Sequence, residues 1–232
     1  MLQSMAFSHP TILFWDIDGT LICGGGAGER ALERTAREHL GLTVRLADLD
    51  YHGRTDLRIA RMIFNVADRN PSAGELHEFG LRYLDFLAEE MPRSTQARIH
   101  SGIPEILDHT RPRAVHALLT GNLPGGMRIK LGRFGLDSSF AFGSFADHSE
   151  ERDDLAPHAL NVARQHLQTP IDPARVVVIG DTPHDIRCGK IIGARTVGVA
   201  TGSYSATALA EHAPDLVLEN FADPTSLDSF LS

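Results

Sequence analysis

Three short polar clusters each follow an apolar run: Asp16-Ile17-Asp18-Gly19-Thr20, Thr120-Gly121-Asn122, and Gly180-Asp181 with Asp185 shortly after it. Together they offer four aspartates, two hydroxyls and an amide. Carboxylates gathered in one place repel one another and rise in pKa unless a cation sits among them. An oxygen-rich set of this kind suits Mg2+, which commonly keeps waters and a substrate phosphate in its shell. A lone Asp at a strand end is a turn or helix cap, but a set repeated at three strand ends reads as a site.

The elements that must position these residues are legible around them. Apolar, β-rich runs over 11–15, 115–119 and 176–179 lead directly into the three clusters. Buried strands that end in polar residues and glycine are how a parallel sheet presents a site at its carboxyl edge. Further strands are expected over 140–145, 197–200 and 216–218, and helices over 127–134, 155–167, 184–192 and 206–212. This alternation predicts an α/β fold, a doubly wound parallel sheet of Rossmann-like type. From Ala27 to about Met91 the period is instead helical. Leu32, Ala36 and Leu40 repeat, as do Ile59 and Ile63, and then Leu76, Phe79, Tyr83 and Leu87. Gly24-Gly25-Gly26 forms a flexible entry to this stretch and Pro92 to Gln96 the way out. The expected organisation is a core of residues 1–22 and 96–232 carrying a small helical insert over 23–95.

Composition narrows the function classes. The chain has 232 residues, is 42% hydrophobic, and carries 22 Lys and Arg against 30 Asp and Glu, for a net charge of −8. That charge argues against a nucleic-acid partner or an anionic membrane surface. Cys23 and Cys188 make no disulfide framework. No basic leader or membrane-length apolar run is present, so a cytoplasmic protein is expected. The lysines are Lys130 and Lys190, and every other cation is an arginine.

In order and strand context, Asp16-Ile17-Asp18-Gly19-Thr20, Leu119-Thr120-Gly121-Asn122 and Val178-Ile179-Gly180-Asp181 resemble the first, second and fourth motifs of the haloacid dehalogenase superfamily. The resemblance spans roughly residues 10 to 232 and is greatest to its phosphoglycolate phosphatase-like members. It implies that Asp16 is the nucleophile and Asp18 the general acid and base. Thr120, Gly121 and Asn122 would cradle the phosphoryl oxygens. Mg2+ would be held by Asp16, Asp181 and the Asp18 backbone carbonyl, with Asp185 as a ligand or an outer partner. The family expects a lysine or arginine before the fourth motif, usually lysine, and this sequence departs there. Arg152 has the right placement, and Lys130, after the second motif, is the alternative; either would also contact phosphate.

The insert resembles a helical cap, with Thr55 as an N-cap and Arg54 as a candidate contact to substrate. Asp18, Asp181 and Asp185 argue against a dehalogenase, and the absence of lysine from 27–91 excludes a Schiff-base phosphonate cleaver. A phosphomutase is disfavoured by the lack of His over 21–29. It remains an alternative, as does a non-catalytic phosphate binder. The expected partner is a small phosphorylated metabolite, and the expected state of the chain a monomer or homodimer.

Overall fold

The computed structural model describes residues 10–231. Its centre is a parallel six-stranded sheet in the order β5-β4-β1-β6-β7-β8. These strands are β1 (Thr11–Trp15), β4 (Ala114–Leu119), β5 (Gly143–Ser144), β6 (Val176–Gly180), β7 (Arg195–Val199) and β8 (Leu216–Leu218). All of β1 is buried, because helices cover both faces of the sheet. Side chains alternate across the strand, so each face receives its own core. Leu13 and Trp15 pack with Ile103, Ile106 and Leu107 of α4 (Ile103–Thr110). Ile12 and Phe14 pack with Leu155, Ala159 and Leu160 of α6 (Arg152–Leu167) and with Cys188 of α7 (Pro183–Ile191).

The helical stretch after β1 forms α1 (Ala27–Leu40), α2 (Asp56–Asn65) and α3 (Ala73–Arg93). The expected apolar stripes are its interior: Leu32, Ala36, Ile59, Ile63, Leu76, Phe79, Tyr83 and Leu87 are all buried, and Leu40 packs half-buried at the edge. α1 and α2 both pack on α3, which in turn reaches α5 (Pro124–Gly132). Thr55 caps α2 by accepting the Arg58 N–H at 3.1 Å. Ser72 and Glu75 form a reciprocal capping box on α3.

Four features depart from the sequence expectations. A two-stranded antiparallel ladder, β2 (Ile22–Cys23) with β3 (Arg98–Ile99), ties together the two chain crossings of the insert. α4 precedes β4. The strand expected over 140–145 shrinks to Gly143–Ser144 behind a 3-10 turn at Asp137–Ser139. α3 continues through Pro92 to Arg93, since a proline in the last turn forfeits little of the helix ladder. Among the described residues, no helix is long and apolar enough to cross a membrane.

Candidate active site

Because β4, β1 and β6 are neighbours, their carboxyl ends bring the three polar clusters into one crevice. Asp16 follows β1 directly, and its N–H donates to the Ile179 carbonyl at 3.0 Å, which locks the two strand ends together. The chain turns at Gly19 with φ +84°, and a Cβ there would lie 2.3 Å from Asp181 Oδ2. Thr20 Oγ1 donates to Asp181 Oδ1 at 3.1 Å. Asp185 sits in the first turn of α7, where its Oδ2 accepts from the Thr182 N–H at 3.0 Å and the Thr182 hydroxyl at 2.7 Å.

The two cations divide the carboxylates between them. The Arg152 guanidinium is bonded to Asp185, lies 3.1 Å from Asp16 Oδ1, and donates through Nη1 to the Gly53 carbonyl at 3.1 Å. Lys130 Nζ donates to Asp18 Oδ2 and to Asn122 Oδ1, both at 2.6 Å. Asn122 Nδ2 completes this second group, donating to Asp18 Oδ2 at 2.8 Å and to Thr120 Oγ1 at 2.9 Å. Both cations are buried. Burial disfavours their charge, but the facing carboxylates outweigh it and hold both well above their ordinary values. Arg152 therefore stands beside Asp16, and Lys130 beside Asp18.

Burial pushes the Asp16 carboxyl up to about 6 against the opposing pull of Arg152, and Asp185 and Asp18 add to the rise. Burial, then Asp16 and Asp185, raise Asp181 well above the carboxylate range. These are the signatures of a carboxylate cluster short of positive charge. One oxygen from each of Asp16, Asp181 and Asp185 falls within a 4.8 Å set. The all-oxygen donor set fits Mg2+. Asp181 Oδ2 accepts no hydrogen bond among the described residues and lies in a cradle that a Cβ on Gly19 or Gly202 would fill. Both oxygens of Asp185 are already engaged by Arg152 and Thr182, which fits an outer partner better than a direct ligand.

The crevice opens into a cavity of about 350 Å3, whose far wall is made by the insert. Arg54 lines it, but its guanidinium is committed to Asp50, with Nη2 at 2.6 Å from the carboxylate and Nε at 2.5 Å from the carbonyl. Gly121 packs under this loop: a Cβ would come within 2.5 Å of the Arg54 carbonyl. Asp56, which sequence reasoning passed over, joins the same seam. Its N–H donates to the Gly121 carbonyl at 2.7 Å, and its Oδ2 accepts the Leu123 N–H at 2.7 Å. Burial pushes Asp56 up to about 6 as well, with Lys130 opposing. Glu150 was also missed. Its carboxylate grips Arg61 of α2 at 2.6 and 2.7 Å, and its carbonyl accepts from the Thr55 hydroxyl at 2.6 Å.

Known proteins resemble this chain in sequence and in fold. The HAD-hydrolase-like family profile matches residues 154–224. The pyrophosphatase PpaX of Bacillus velezensis is 33% identical over 86 residues, 35% of this chain and 39% of that protein. The chain thus aligns with well under half the length of that relative. The 2-deoxyglucose-6-phosphate phosphatase 2 of Saccharomyces cerevisiae is 26% identical over 220 residues, covering 91% of this chain and 88% of its own. A crystal structure of a predicted phosphoglycolate phosphatase from Haemophilus somnus superposes with a TM-score of 0.72 at 17% identity, covering 96% and 99% of the two chains. The chain thus resembles HAD-like hydrolases, in the profile matched over residues 154–224 and in its overall fold.

Proposed function

We propose that this protein is a Mg2+-dependent phosphatase of small phosphorylated metabolites, working through an aspartyl-phosphate on Asp16. The observation that carries the reading is the pairing of each first-motif aspartate with its own buried cation on the floor of one cavity. Asp16, stripped of water and steadied by Arg152, is placed to attack phosphorus as the bond to the leaving oxygen breaks. Asp18, more exposed and held by Lys130 and Asn122, is placed to give that oxygen a proton. It then takes a proton from the water that cleaves the aspartyl-phosphate.

Thr120 and the Gly121 and Asn122 amides orient phosphoryl oxygens, and Arg152 offsets their charge. Asp16, Asp181 and the Asp18 carbonyl would hold Mg2+, with Asp185 supporting them; the ion would neutralise charge on the phosphoryl group. Residues 23–95 act as the cap that excludes water from the reaction. The expected setting is the cytoplasm.

The test is phosphate release from a panel of small phosphomonoesters, with and without Mg2+, with Asp16→Asn as control. Metal-dependent turnover that disappears in the variant supports the reading. A folded protein that binds Mg2+ yet turns over no ester refutes it, in favour of a mutase or a phosphate binder.

A further inference from the structure

The cavity wall opposite Asp16 has a chemistry of its own. Tyr83, on α3, is 1% exposed, and its ring belongs to the core of the insert. It also lines the cavity, and its hydroxyl makes no hydrogen bond within the described residues. The tip stands beside Lys130: a Cβ on Gly28 would lie 3.8 Å from both the Tyr83 hydroxyl and Lys130 Nζ. Reached from the cavity and without a hydrogen-bond partner in the protein, this hydroxyl is open to pair with a bound ligand. Next to it on α1, Glu29 faces the same cavity, accepting the Tyr51 hydroxyl on Oε1 at 3.0 Å. Asp56 adds a second carboxyl to this wall.

The lysine and arginines inside the cavity are already paired with carboxylates. Lys130 is engaged with Asp18, Arg152 with Asp16 and Asp185, and Arg54 with Asp50. Arg98 stands at the exposed rim, donating to the Gln96 carbonyl. A leaving group bearing a carboxylate or a second phosphate would have to lie against Glu29 and Asp56 with no free cation inside. Such like-charge contact is strongly unfavourable in a partly dry site. A neutral leaving group with hydroxyls meets the opposite situation, because Glu29 accepts from it and the Tyr83 hydroxyl pairs with it.

We infer that the Tyr83–Glu29–Tyr51 wall is a leaving-group subsite for uncharged, hydroxyl-bearing alcohols, so that the substrates are monophosphates of sugars or polyols, not phosphorylated carboxylic acids. This rests on the phosphatase reading and specifies its substrate class. The cavity, about 350 Å3, suits a molecule of that size.

The experiment compares kcat/KM for glycerol 3-phosphate, a hexose 6-phosphate, phosphoglycolate and p-nitrophenyl phosphate, in wild type, Tyr83→Phe and Glu29→Gln. In the wild type a polyol or sugar ester should exceed phosphoglycolate by at least about tenfold. Tyr83→Phe should lose about tenfold more on that ester than on the aryl ester, since a site built to bond a hydroxyl discriminates through that bond. Glu29→Gln should narrow the gap to phosphoglycolate. Preference for phosphoglycolate, or losses equal on every ester, overturns the subsite. Should Tyr83→Phe fail to fold, Glu29→Gln and Tyr51→Phe decide by the same ratios. If no ester is hydrolysed with Mg2+, the phosphatase reading itself falls. Aryl ester hydrolysis with phosphoglycolate preferred sinks the subsite alone.

Discussion

Replacing Arg152 with methionine removes one buried cation from between two buried carboxylates and leaves a carbonyl at Gly53 without its donor. Breaking a buried ion pair from one side typically costs about 3–5 kcal/mol, because the other side remains as an uncompensated buried charge. For a chain of this size each kcal/mol moves the melting midpoint by about 2–4 °C, so the metal-free protein should melt roughly 6–20 °C lower.

The loss should also depend on pH, with a fixed sign. The native pKa of Asp16 is raised from 3.8 to about 6, so the native state holds that proton more tightly than the unfolded chain. Stability therefore falls as pH rises through this window and levels off above it. Arg152 is the strongest force holding Asp16 down, so its removal raises the native pKa further and carries the fall to higher pH. The deficit relative to wild type should be smaller at pH 5, where Asp16 is largely protonated in both proteins, and larger at pH 8. Thermal melts in chelator at these two pH values measure it. A deficit that is absent, or no larger at pH 8 than at pH 5, refutes the assignment of Arg152 as the compensating charge for Asp16. Arg152→Lys should recover part of the stability but little turnover, because an ammonium cannot span Asp16, Asp185 and the Gly53 carbonyl together.

Two further perturbations probe the seam and the sheet. Glu150→Gln weakens the bidentate grip on Arg61, two residues before Arg152, and should lower kcat/KM roughly fivefold, equivalent to about 1 kcal/mol for a partly exposed pair. The charge swap Arg61→Glu with Glu150→Arg should restore part of that loss, and a swap no better than the single variants would refute the coupling. Burial, aided by Arg111, pushes His116 down to about 4 where it stacks on Trp15 at 5.9 Å. A neutral native His contributes stability that is present above 6.5 and is lost as pH falls toward 4, up to about 3 kcal/mol. His116→Leu should flatten the decline in melting temperature between pH 7 and 5; an unchanged slope would show that another group causes it.

What the sequence revealed, and what it hid, follow from the range of each interaction. Asp16, Asp18, Thr120, Asn122, Asp181 and Asp185 were legible because each stands within a few residues of an apolar strand, and a parallel sheet forces neighbouring strand ends together. Placement favoured Arg152 over Lys130 without deciding between them, since both sit on helices after such strands and their reach depends on how those helices lie. Arg54 read as a candidate contact to substrate because Asp50 is in irregular chain, where spacing gives no pairing rule. Tyr83 was concealed by its own periodicity: with Leu76, Phe79 and Leu87 its ring completes an apolar stripe, and only the packing of α3 against α5 brings its hydroxyl to the cavity. β2 and β3, two residues each, are too short to carry any period.

The charges at the crevice floor explain why the fold needs both cations in separate places. Asp16, Asp18, Asp181 and Asp185 face two fixed positive groups, a deficit of two charges that a divalent ion would match. Had both cations faced Asp16, that carboxylate would be over-stabilised and Asp18 left without a partner. Placing Arg152 on Asp16 and Lys130 on Asp18 holds each carboxylate in one orientation and leaves the uncompensated charge at Asp181, beside the space that Gly19 and Gly202 keep open.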